Sequence, residues 1–440
     1  MKTLIFGSTI VDGERVYKGS IVTDDDKIEK IYENETPREH FDKTIDASGC
    51  FVIPGVIDEH VHFREPGMTE KADICSESRA AAAGGVTSFF DMPNTTPPTI
   101  SLDNLEDKFR RASQESRINY SFFFGATNSN YSLFDKLDVH RIPGVKLFMG
   151  ASTGNMLVDK EEALQNIFKN SPLPIMTHCE DTAMINRNMA EAKQQYGEDP
   201  DIRMHYKIRS EEACIRSTEL AISLAKKYDA QLHVAHITTA RELDMIKAAG
   251  SKITGEAVIA HLMFDNSSYE DLGALIKCNP SVKTSSDRDS LRKALTDGRI
   301  YTVATDHAPH LLSQKQGGCA KAVSGMPMVQ FSLCTMLTLA SQGVLPIERV
   351  VELMCNNPAR LFSVRERGFL KEGYKADIAI VKQCEPYTVT NDMVISKCGW
   401  TPLTNTKLTW KVVHTLCNGR HVYNNGIIDD SIRGEEIRFR

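Results

Sequence analysis

The sequence lacks long apolar runs, an excess of basic residues and any C-x-x-C pair of cysteines. No segment approaches the roughly 18 uncharged apolar residues of a membrane-spanning helix, so we expect no membrane partner. The net charge is −6 over 440 residues and there is no basic stripe, which argues against binding to nucleic acid. Hydrophobic residues make up 41% and charged residues 25% of the chain, as in an ordinary globular protein.

The cysteines do not form the pattern of a disulfide framework. There are 11, an odd number, and they are scattered along the chain. The N-terminal stretch MKTLIFGSTIVDG also lacks the long apolar region and the cleavage site of a secretory signal peptide. We therefore expect reduced thiols and a cytoplasmic location.

Segments rich in β-branched residues and turn signals stand at both ends of the chain. LIFGSTIVDG, SIVTDDDKIEKIY and CFVIPG lie within residues 1–55, and GFLKEGYKADIAIVK and KVVHTLCNGRHVYNNGII lie within residues 366–440. The Asn-Gly pairs of the second group are hairpin signals. We predict that the two regions together form one small β-sandwich-like domain.

Residues 56–365 alternate between apolar β-type runs and helix-like runs. This alternation is typical of a parallel sheet, and eight strands argue for a closed (β/α)8 barrel, which is an α/β fold of the TIM type. A doubly wound open sheet is the alternative. The helix-like runs are EKADICSESRAAAAGG, EEACIRSTELAISLAKKY and ARELDMIKAAG. The strand candidates are residues 56–63, 87–94, 118–128, 144–150, 173–180, 231–238, 252–261 and 300–310.

Polar residues stand at the carboxyl ends of these strands, which is where active sites form in such barrels. A single histidine in an apolar strand is more often a core residue, but joint placement on five strands favours a shared site. We interpret His233 as structural, and the roles of His261 and His307 stay open. The residues at the strand ends are His60 and His62 (strand one), Asn94 (two), Lys146 (four), His178 (five), His236 (six), and Asp306 and His310 (eight).

The histidines and the aspartate predict a site for two metal ions. Residues two apart on a strand face the same way, so His60 and His62 can hold one ion, and Asp306 can complete that site. His178 and His236 come from two other strands and can hold a second ion. Imidazole nitrogens and carboxylate oxygens are suitable ligands for zinc.

Lys146 lies among apolar residues in GVKLFMG. A charged lysine is costly in such a place unless it is paired or modified. Its neutral amine can react with carbon dioxide to give a carbamate, whose two oxygens would bridge two metals. The alternative is an ordinary salt-bridged lysine.

Three stretches together resemble the dihydroorotases, which are cyclic amidases of the amidohydrolase superfamily. They are PGVIDEHVHFREPG, AAAAGGVTSFFDMPNT and ATDHAPH. The resemblance covers almost the whole chain, since NNPARLF and GFLKEGYKADIAIV are similar to the segments that lead back into the family's small β domain. It implies a zinc-dependent enzyme that interconverts N-carbamoyl-L-aspartate and L-dihydroorotate in de novo pyrimidine (UMP) biosynthesis.

The resemblance also implies roles for individual residues. Two zinc ions are held by the six metal-site residues, with carbamylated Lys146 as the bridge and Asp306 as the general base and acid for the attacking water. The planar fork of Arg64 suits a carboxylate. The implied substrate-binding residues are Arg64, Asn94 and His310 for the carboxylate, Asn279 for the ring, and Ser324 and Gly325 for backbone contacts to the ring.

Several alternatives remain open. Some bacterial dihydroorotases use an aspartate as the bridge, and NPSVK here stands where N-P-P-L-R is common. The run GASTGNM after the fourth strand is either a substrate-covering loop or an ordinary turn. Rival activities are those of allantoinase and of dihydropyrimidinase or hydantoinase, and a rival of another class is a non-catalytic subunit that scaffolds a transcarbamoylase. A homodimer and an association with a transcarbamoylase are also open.

Overall fold

The N-terminal region forms five strands in the computed structural model, which describes residues 1–150 and 156–440. They are β1 (Lys2–Val11), β2 (Val16–Asp24), β3 (Lys27–Glu33), β4 (Lys43–Asp46) and β5 (Phe51–Pro54). β1 pairs antiparallel with β2 and parallel with both β4 and β5. Ile5, Ile21 and Ile28 are fully buried in the apolar cluster of this region, as expected of β-branched residues on the covered face of a sheet.

The next nine strands build a barrel. They are β6 (Val56–Val61), β7 (Val86–Asp91), β8 (Asn119–Phe122), β9 (Phe124–Gly125), β10 (Val145–Phe148), β11 (Ile175–His178), β12 (Leu232–Val234), β13 (Ile253–Val258) and β14 (Thr302–Ala304). β8 and β9 are two parts of one strand, because only Phe123 separates them and its N–H still donates to Asp91 of β7 at 3.1 Å.

The barrel is closed. Neighbouring strands pair in parallel from β6 to β8 and from β9 to β14. A parallel bridge joins Val61 to His307, and the His62 N–H donates to the His307 carbonyl at 2.7 Å. The predicted (β/α)8 fold is therefore confirmed, and the open-sheet alternative is wrong. Every residue of β6, β7, β10 and β11 is buried, as expected of parallel strands that are covered on both faces.

Helices lie between the strands, and the three segments predicted as helices contain α1, α6 and α7. Their N-cap side chains Asp73, Ser210 and Thr239 each accept a backbone N–H of the first turn. Among the described residues no helix is both long enough and apolar enough to cross a membrane. The helices are α1 (Ile74–Ala83), α2 (Leu102–Glu115), α3 (Glu161–Asn170), α4 (Thr182–Tyr196), α5 (His205–Ile208), α6 (Glu211–Tyr228), α7 (Ala240–Ala249), α8 (Ile259–Met263), α9 (Tyr269–Leu272), α10 (Ser285–Asp297), α11 (Ser332–Ser341), α12 (Ile347–Val351) and α13 (Asn357–Phe362).

The C-terminal strands return to the N-terminal ones. They are β15 (Ile378–Thr388), β16 (Lys407–Cys417), β17 (Arg420–Asn424) and β18 (Ile427–Ile428). β15 pairs antiparallel with β5 and with β16, so strands from both termini form one nine-stranded sheet. Trp410 of β16 donates its indole N–H to Ser341 at the end of α11 at 2.7 Å, which ties this sheet to the barrel.

Aromatic rings fill the barrel around the last residue of α13. The ring centroid of Phe362 lies 5.5 Å from that of Phe90, 5.6 Å from that of Phe123 and 6.0 Å from that of His233. All four side chains are fully buried. Phe362 therefore joins α13 to three separate strands of the barrel.

Replacing Phe362 by alanine should lower the free energy of unfolding by about 3–5 kcal/mol, because it leaves a cavity among rings that cannot collapse into it. Leu220→Ala on α6 is the control, since Leu220 is 46% exposed and should cost less than about 0.5 kcal/mol. The measurement is denaturant unfolding followed by circular dichroism. Equal midpoints for Phe362→Ala and the parent protein would contradict this account of the core.

Candidate metal centre and substrate cavity

Eleven of the twelve predicted site residues line one cavity at the carboxyl ends of the barrel strands. The twelfth, His310, adjoins it, because its Nε2 lies 3.0 Å from Arg64 Nη2. Phe148, Arg209 and Ala308 also line the cavity and are not among the predicted residues. The eleven are His60, His62, Arg64, Asn94, Lys146, His178, His236, Asn279, Asp306, Ser324 and Gly325.

The predicted metal ligands present their nitrogen and oxygen atoms to one another. Asp306 Oδ1 lies 3.0 Å from His62 Nε2 and 3.3 Å from His60 Nε2. His178 Nδ1 lies 2.9 Å from His236 Nε2. One ligand atom from each of His60, His236 and Asp306 fits within 4.8 Å. Such a set of converging imidazoles and a carboxylate suits a divalent cation such as zinc.

Lys146 stands next to these ligands, with its Nζ 3.5 Å from His60 Nε2. It is fully buried. Burial lowers its pKa to about 8, so a neutral amine is accessible near neutral pH. Its position and its protonation both suit the chemistry that a carbamate requires.

Three of the imidazoles are oriented by a partner on the side away from the other ligands. His60 Nδ1 lies 2.9 Å from Glu256 Oε1, and His178 Nε2 lies 2.9 Å from Glu180 Oε2. With each carboxylate accepting an N–H, the opposite ring nitrogen keeps its lone pair for a metal. His62 has the same arrangement, because its Nδ1 lies 2.7 Å from the side-chain oxygen of Asn94.

Burial sets the charge state of this cluster. It lowers the pKa of His60, His62 and His236, which keeps these imidazoles neutral, as metal ligands must be. Burial alone would raise the pKa of Asp306, but the neighbouring imidazoles of His60 and His62 hold that pKa well below its usual range. Asp306 is therefore an ionised ligand among neutral ones.

The pKa of Glu256 shifts in the opposite direction to that of Asp306. Burial raises its pKa to about 8, and the neighbouring Lys146 only partly counters this. A cation bound beside it would favour the ionised carboxylate again. The same carboxylate oxygen also accepts the backbone N–H of His236 at 2.9 Å, so Glu256 fixes two of the histidines at once.

The backbone is strained at three site residues. The φ angle is +68° at Arg64, +38° at His236 and +47° at Asp306. Residues other than glycine rarely adopt this left-handed region, and each case costs of order 1 kcal/mol or more. His236 and Asp306 each lie two residues beyond the end of a barrel strand. Strain of this kind is often concentrated where a functional side chain must be aimed.

Arg64 is a buried cation beside the metal cluster. It is 5% exposed, its Nε donates to the Pro309 carbonyl at 2.9 Å, and burial lowers its pKa only to about 10, so it remains charged at neutral pH. Within residues 1–150 and 156–440, no carboxylate forms an ion pair with it. A buried guanidinium that no carboxylate of the described residues contacts directly fits an anionic ligand in the cavity.

The far wall of the cavity consists of loop residues. The carbonyl oxygen of Ser324 lies 3.0 Å from His310 Nε2, and the Gly325 N–H donates to the Lys277 carbonyl at 2.8 Å. The side-chain oxygen of Asn279 is buried and has no hydrogen-bond partner among the described residues. It is therefore open to a donor on a ligand.

The histidines outside the metal cluster have structural surroundings. His307 Nε2 lies 2.7 Å from Glu77, and its Nδ1 accepts the N–H groups of Met328 and Val329 at 3.0 and 3.1 Å. The ring nitrogens of His233 lie 2.7 Å from the Thr254 hydroxyl and 3.2 Å from the Thr302 hydroxyl, and the ring does not line the cavity. His261 Nε2 lies 3.0 Å from the Pro280 carbonyl, so it supports the segment that carries Asn279 without lining the cavity.

Three charged residues of this site, Glu180, Glu256 and Arg209, are missing from the sequence prediction, as are the cavity-lining Phe148 and Ala308. Glu180 follows His178 by two residues and so shares its face of the strand, which is a signal that could have found it. Glu256 is an isolated charge within a buried strand, the same signal that singled out Lys146. Arg209, which pairs with Glu180 in a close buried contact, lies just after the short helix α5 and carries no such signal. The GASTGNM loop falls largely on residues 151–155, outside the described part of the chain.

Comparisons with known proteins agree with this architecture. The model of the amidohydrolase family matches residues 51–422. A curated protein named dihydroorotase from Halobacterium salinarum is 34% identical over 81% of this chain and 83% of its own, and one from Pyrococcus furiosus is 30% identical over 99% and 96%. The solved L-hydantoinase (dihydropyrimidinase) from Arthrobacter aurescens is 26% identical, with a TM-score of 0.94 over 100% of this chain and 99% of its own.

Replacing Glu256 by leucine should weaken zinc binding about 10- to 100-fold, because the Nδ1 atom of His60 loses the acceptor that fixes its ring. The matched control is Glu106→Leu, since the Glu106 side chain is 65% exposed and bonds only to Arg141 in the described structure. Zinc affinity is measured by competition with a chromophoric chelator. Unchanged affinity in a folded Glu256→Leu protein would argue against this orienting contact.

Proposed function

The chain belongs to the amidohydrolase family, and from that premise we propose that it is a dihydroorotase of de novo pyrimidine (UMP) biosynthesis. The reaction is the reversible interconversion of N-carbamoyl-L-aspartate and L-dihydroorotate. Curated relatives at 30–34% identity carry the name dihydroorotase. The single observation that carries the substrate assignment is Arg64, a buried cation that has no ion-pair partner in the described structure and faces the metal ligands across one cavity.

Two zinc ions fit the ligands present. His60, His62 and Asp306 would hold one ion and His178 and His236 the other, with carbamylated Lys146 between them. The short approaches between lone-pair atoms of these side chains support the assignment, because a cation placed among them would relieve their repulsion. When bound, such ions lower the pKa of a water molecule and polarise a carbonyl.

Asp306 is the residue that moves the proton. Its low pKa makes it a weak base towards bulk water, but its oxygen lies within 3.3 Å of two metal-ligand nitrogens and so adjoins the place of attack. In hydrolysis the water oxygen bonds to the ring carbonyl carbon, and Asp306 accepts a proton from that water. As the carbon–nitrogen bond breaks, Asp306 returns the proton to the ring nitrogen. Positioned transfers of this kind contribute about 10²- to 10⁴-fold in rate.

The remaining residues place the substrate. Arg64, Asn94 and His310 would bind the carboxylate of dihydroorotate, and the fork of Arg64 allows two parallel hydrogen bonds to it. Asn279 and the backbone of Ser324 and Gly325 would contact the ring. Asn94 also orients His62, so it belongs to the metal site and to the substrate site together.

Other activities use the same barrel. The hydantoinase neighbour shows that the fold also serves rings of other kinds, and allantoinase remains the other candidate of this class. A ring without a carboxylate would not pair with the guanidinium of Arg64, which favours dihydroorotate. A purely scaffolding subunit would not need every ligand position filled. A homodimer and an association with a transcarbamoylase remain compatible with catalysis.

The deciding experiment is turnover of L-dihydroorotate by the purified protein beside allantoin and dihydrouracil, with bound zinc counted in the same sample. We expect turnover of dihydroorotate alone and about two zinc ions per chain. The Asp306→Asn protein is the control and should be inactive. Activity on another ring, with zinc bound, would overturn the substrate assignment but keep the metal centre.

Replacing Arg64 by alanine should lower kcat/KM for dihydroorotate by about 10²-fold or more, because a buried charge-assisted contact to the substrate is lost. Zinc content should stay unchanged, since Arg64 is no metal ligand. Arg110→Ala is the control, because the Arg110 side chain is 57% exposed on α2. Loss of zinc in Arg64→Ala, or full activity, would contradict the role given to this residue.

A further inference from the structure

Two buried lysines hold the loop that forms the ring-facing wall of the cavity. The loop comprises residues 318–325 and ends with Ser324 and Gly325. Lys315 donates to the carbonyls of Lys277, Val323 and Gly325 at 3.0, 2.9 and 2.8 Å. Lys277 donates to the carbonyl of Cys319 at 2.7 Å and to that of Ala322 in a closer contact. Four carbonyls of one short loop are therefore bound by two ammonium groups.

The setting of these lysines is unusual. Lys315 is 3% exposed and Lys277 is 4% exposed. In the described parts of the chain neither ammonium is in an ion pair. The groups in direct contact with them are carbonyl oxygens and, for Lys315, the face of Trp400, whose ring centroid lies 5.9 Å away. Burying such a group is costly, whereas an apolar side chain would fill the same space at less cost. The free-energy cost of burying the two lysines indicates that their hydrogen bonds to the loop have a function.

The bound carbonyls flank the part of the loop that faces the cavity. Lys315 donates hydrogen bonds to the carbonyls of the residues on both sides of Ser324. The Gly325 N–H donates to the same Lys277 carbonyl that Lys315 binds. There is little free space here: a Cβ on Gly325 would lie 2.7 Å from the Ala308 carbonyl oxygen. A small change in the Lys315 contacts would therefore move the backbone of Ser324 and Gly325 relative to Asp306 and His310.

We propose that Lys315 is a positioning residue that fixes the Ser324–Gly325 backbone against the substrate ring, with Lys277 bracing the rest of the loop. This inference rests on the proposed function, in which that backbone contacts the ring. The ring contact is present both in the bound substrate and in the transition state. Its loss should therefore raise KM and change kcat little.

The test compares Lys315→Met with a matched control in the same loop. Methionine fills similar space without donors, and Lys321→Met removes an exposed lysine of that loop. Burial lowers the pKa of Lys315 to about 7, so assays at about pH 6.5 keep its ammonium form predominant. We expect KM for dihydroorotate to rise about 3- to 10-fold in Lys315→Met, with kcat within about twofold, and neither constant to change in Lys321→Met.

Amide hydrogen exchange of the zinc-loaded proteins supplies a reading that needs no substrate. Residues 318–325 should exchange faster in Lys315→Met than in Lys321→Met, while the barrel strands stay protected. An unchanged KM in a folded Lys315→Met protein would overturn the inference. Should that variant not fold, Lys277→Met takes its place, with the same expectation and the same overturning result.

The two proposals fail in different ways. If the parent protein does not turn over dihydroorotate, the proposed function fails, and hydrogen exchange alone then decides whether Lys315 holds the loop. If the parent protein is active but folded Lys315→Met keeps its KM, the proposed function stands and the positioning role of Lys315 falls.

Discussion

The constraint on which the structure depends is the burial of imidazoles and carboxylates, the proposed metal ligands, at one end of a closed apolar barrel. Each buried imidazole or carboxylate loses its hydration, and the loss must be compensated by fixed partners. The fold does this with a second set of residues behind the first: Glu256 behind His60, Asn94 behind His62 and Glu180 behind His178. These partners come from different strands and loops, so orienting the ligands also helps to fix the order and register of the barrel. The site is thus part of what holds the barrel mouth together.

The same constraint extends into the barrel interior. Glu59, His233 and Glu256 bring ligand-type atoms within 4.8 Å of one another, and all three side chains are fully buried. Burial raises the pKa of both carboxyls and lowers the pKa of His233 and Lys146, so each group moves towards its neutral form. These shifts reduce the buried charge that the protein must carry by itself. Cations bound above the cluster would reverse the shifts at Glu256, which couples the state of the interior to the occupancy of the site.

The sequence predicts those site residues that stand out against the apolar pattern of a barrel strand. Barrel strands are continuous apolar runs because both faces are covered. A polar residue at the end of such a run, like His178, or within it, like Lys146, therefore stands out. The helices α2 and α10 are not among the predicted helices, although α2 buries Leu105, Phe109 and Ala112 at the three- and four-residue spacing of a helix. The pairing of β5 with β15 joins residues more than 300 positions apart and has no local signal. Arg209 also has no local signal, because only the tertiary fold brings it to Glu180 and to the cavity.

The chemistry and the specificity of the site come from different parts of the fold. The proposed metal ligands lie on strands or within two residues of a strand end. The proposed substrate-binding residues Arg64, Asn279, His310, Ser324 and Gly325 lie in loops. Loops tolerate changes in sequence and length, whereas the strands that form the barrel do not, so one barrel can carry different loops. The close likeness to a hydantoinase therefore speaks for the scaffold and the reaction class, and the ring that is accepted must be argued from the loops. Among those loop residues Arg64 carries the most weight in the proposed assignment, because its guanidinium is buried at the cavity and no carboxylate of the described residues pairs with it directly.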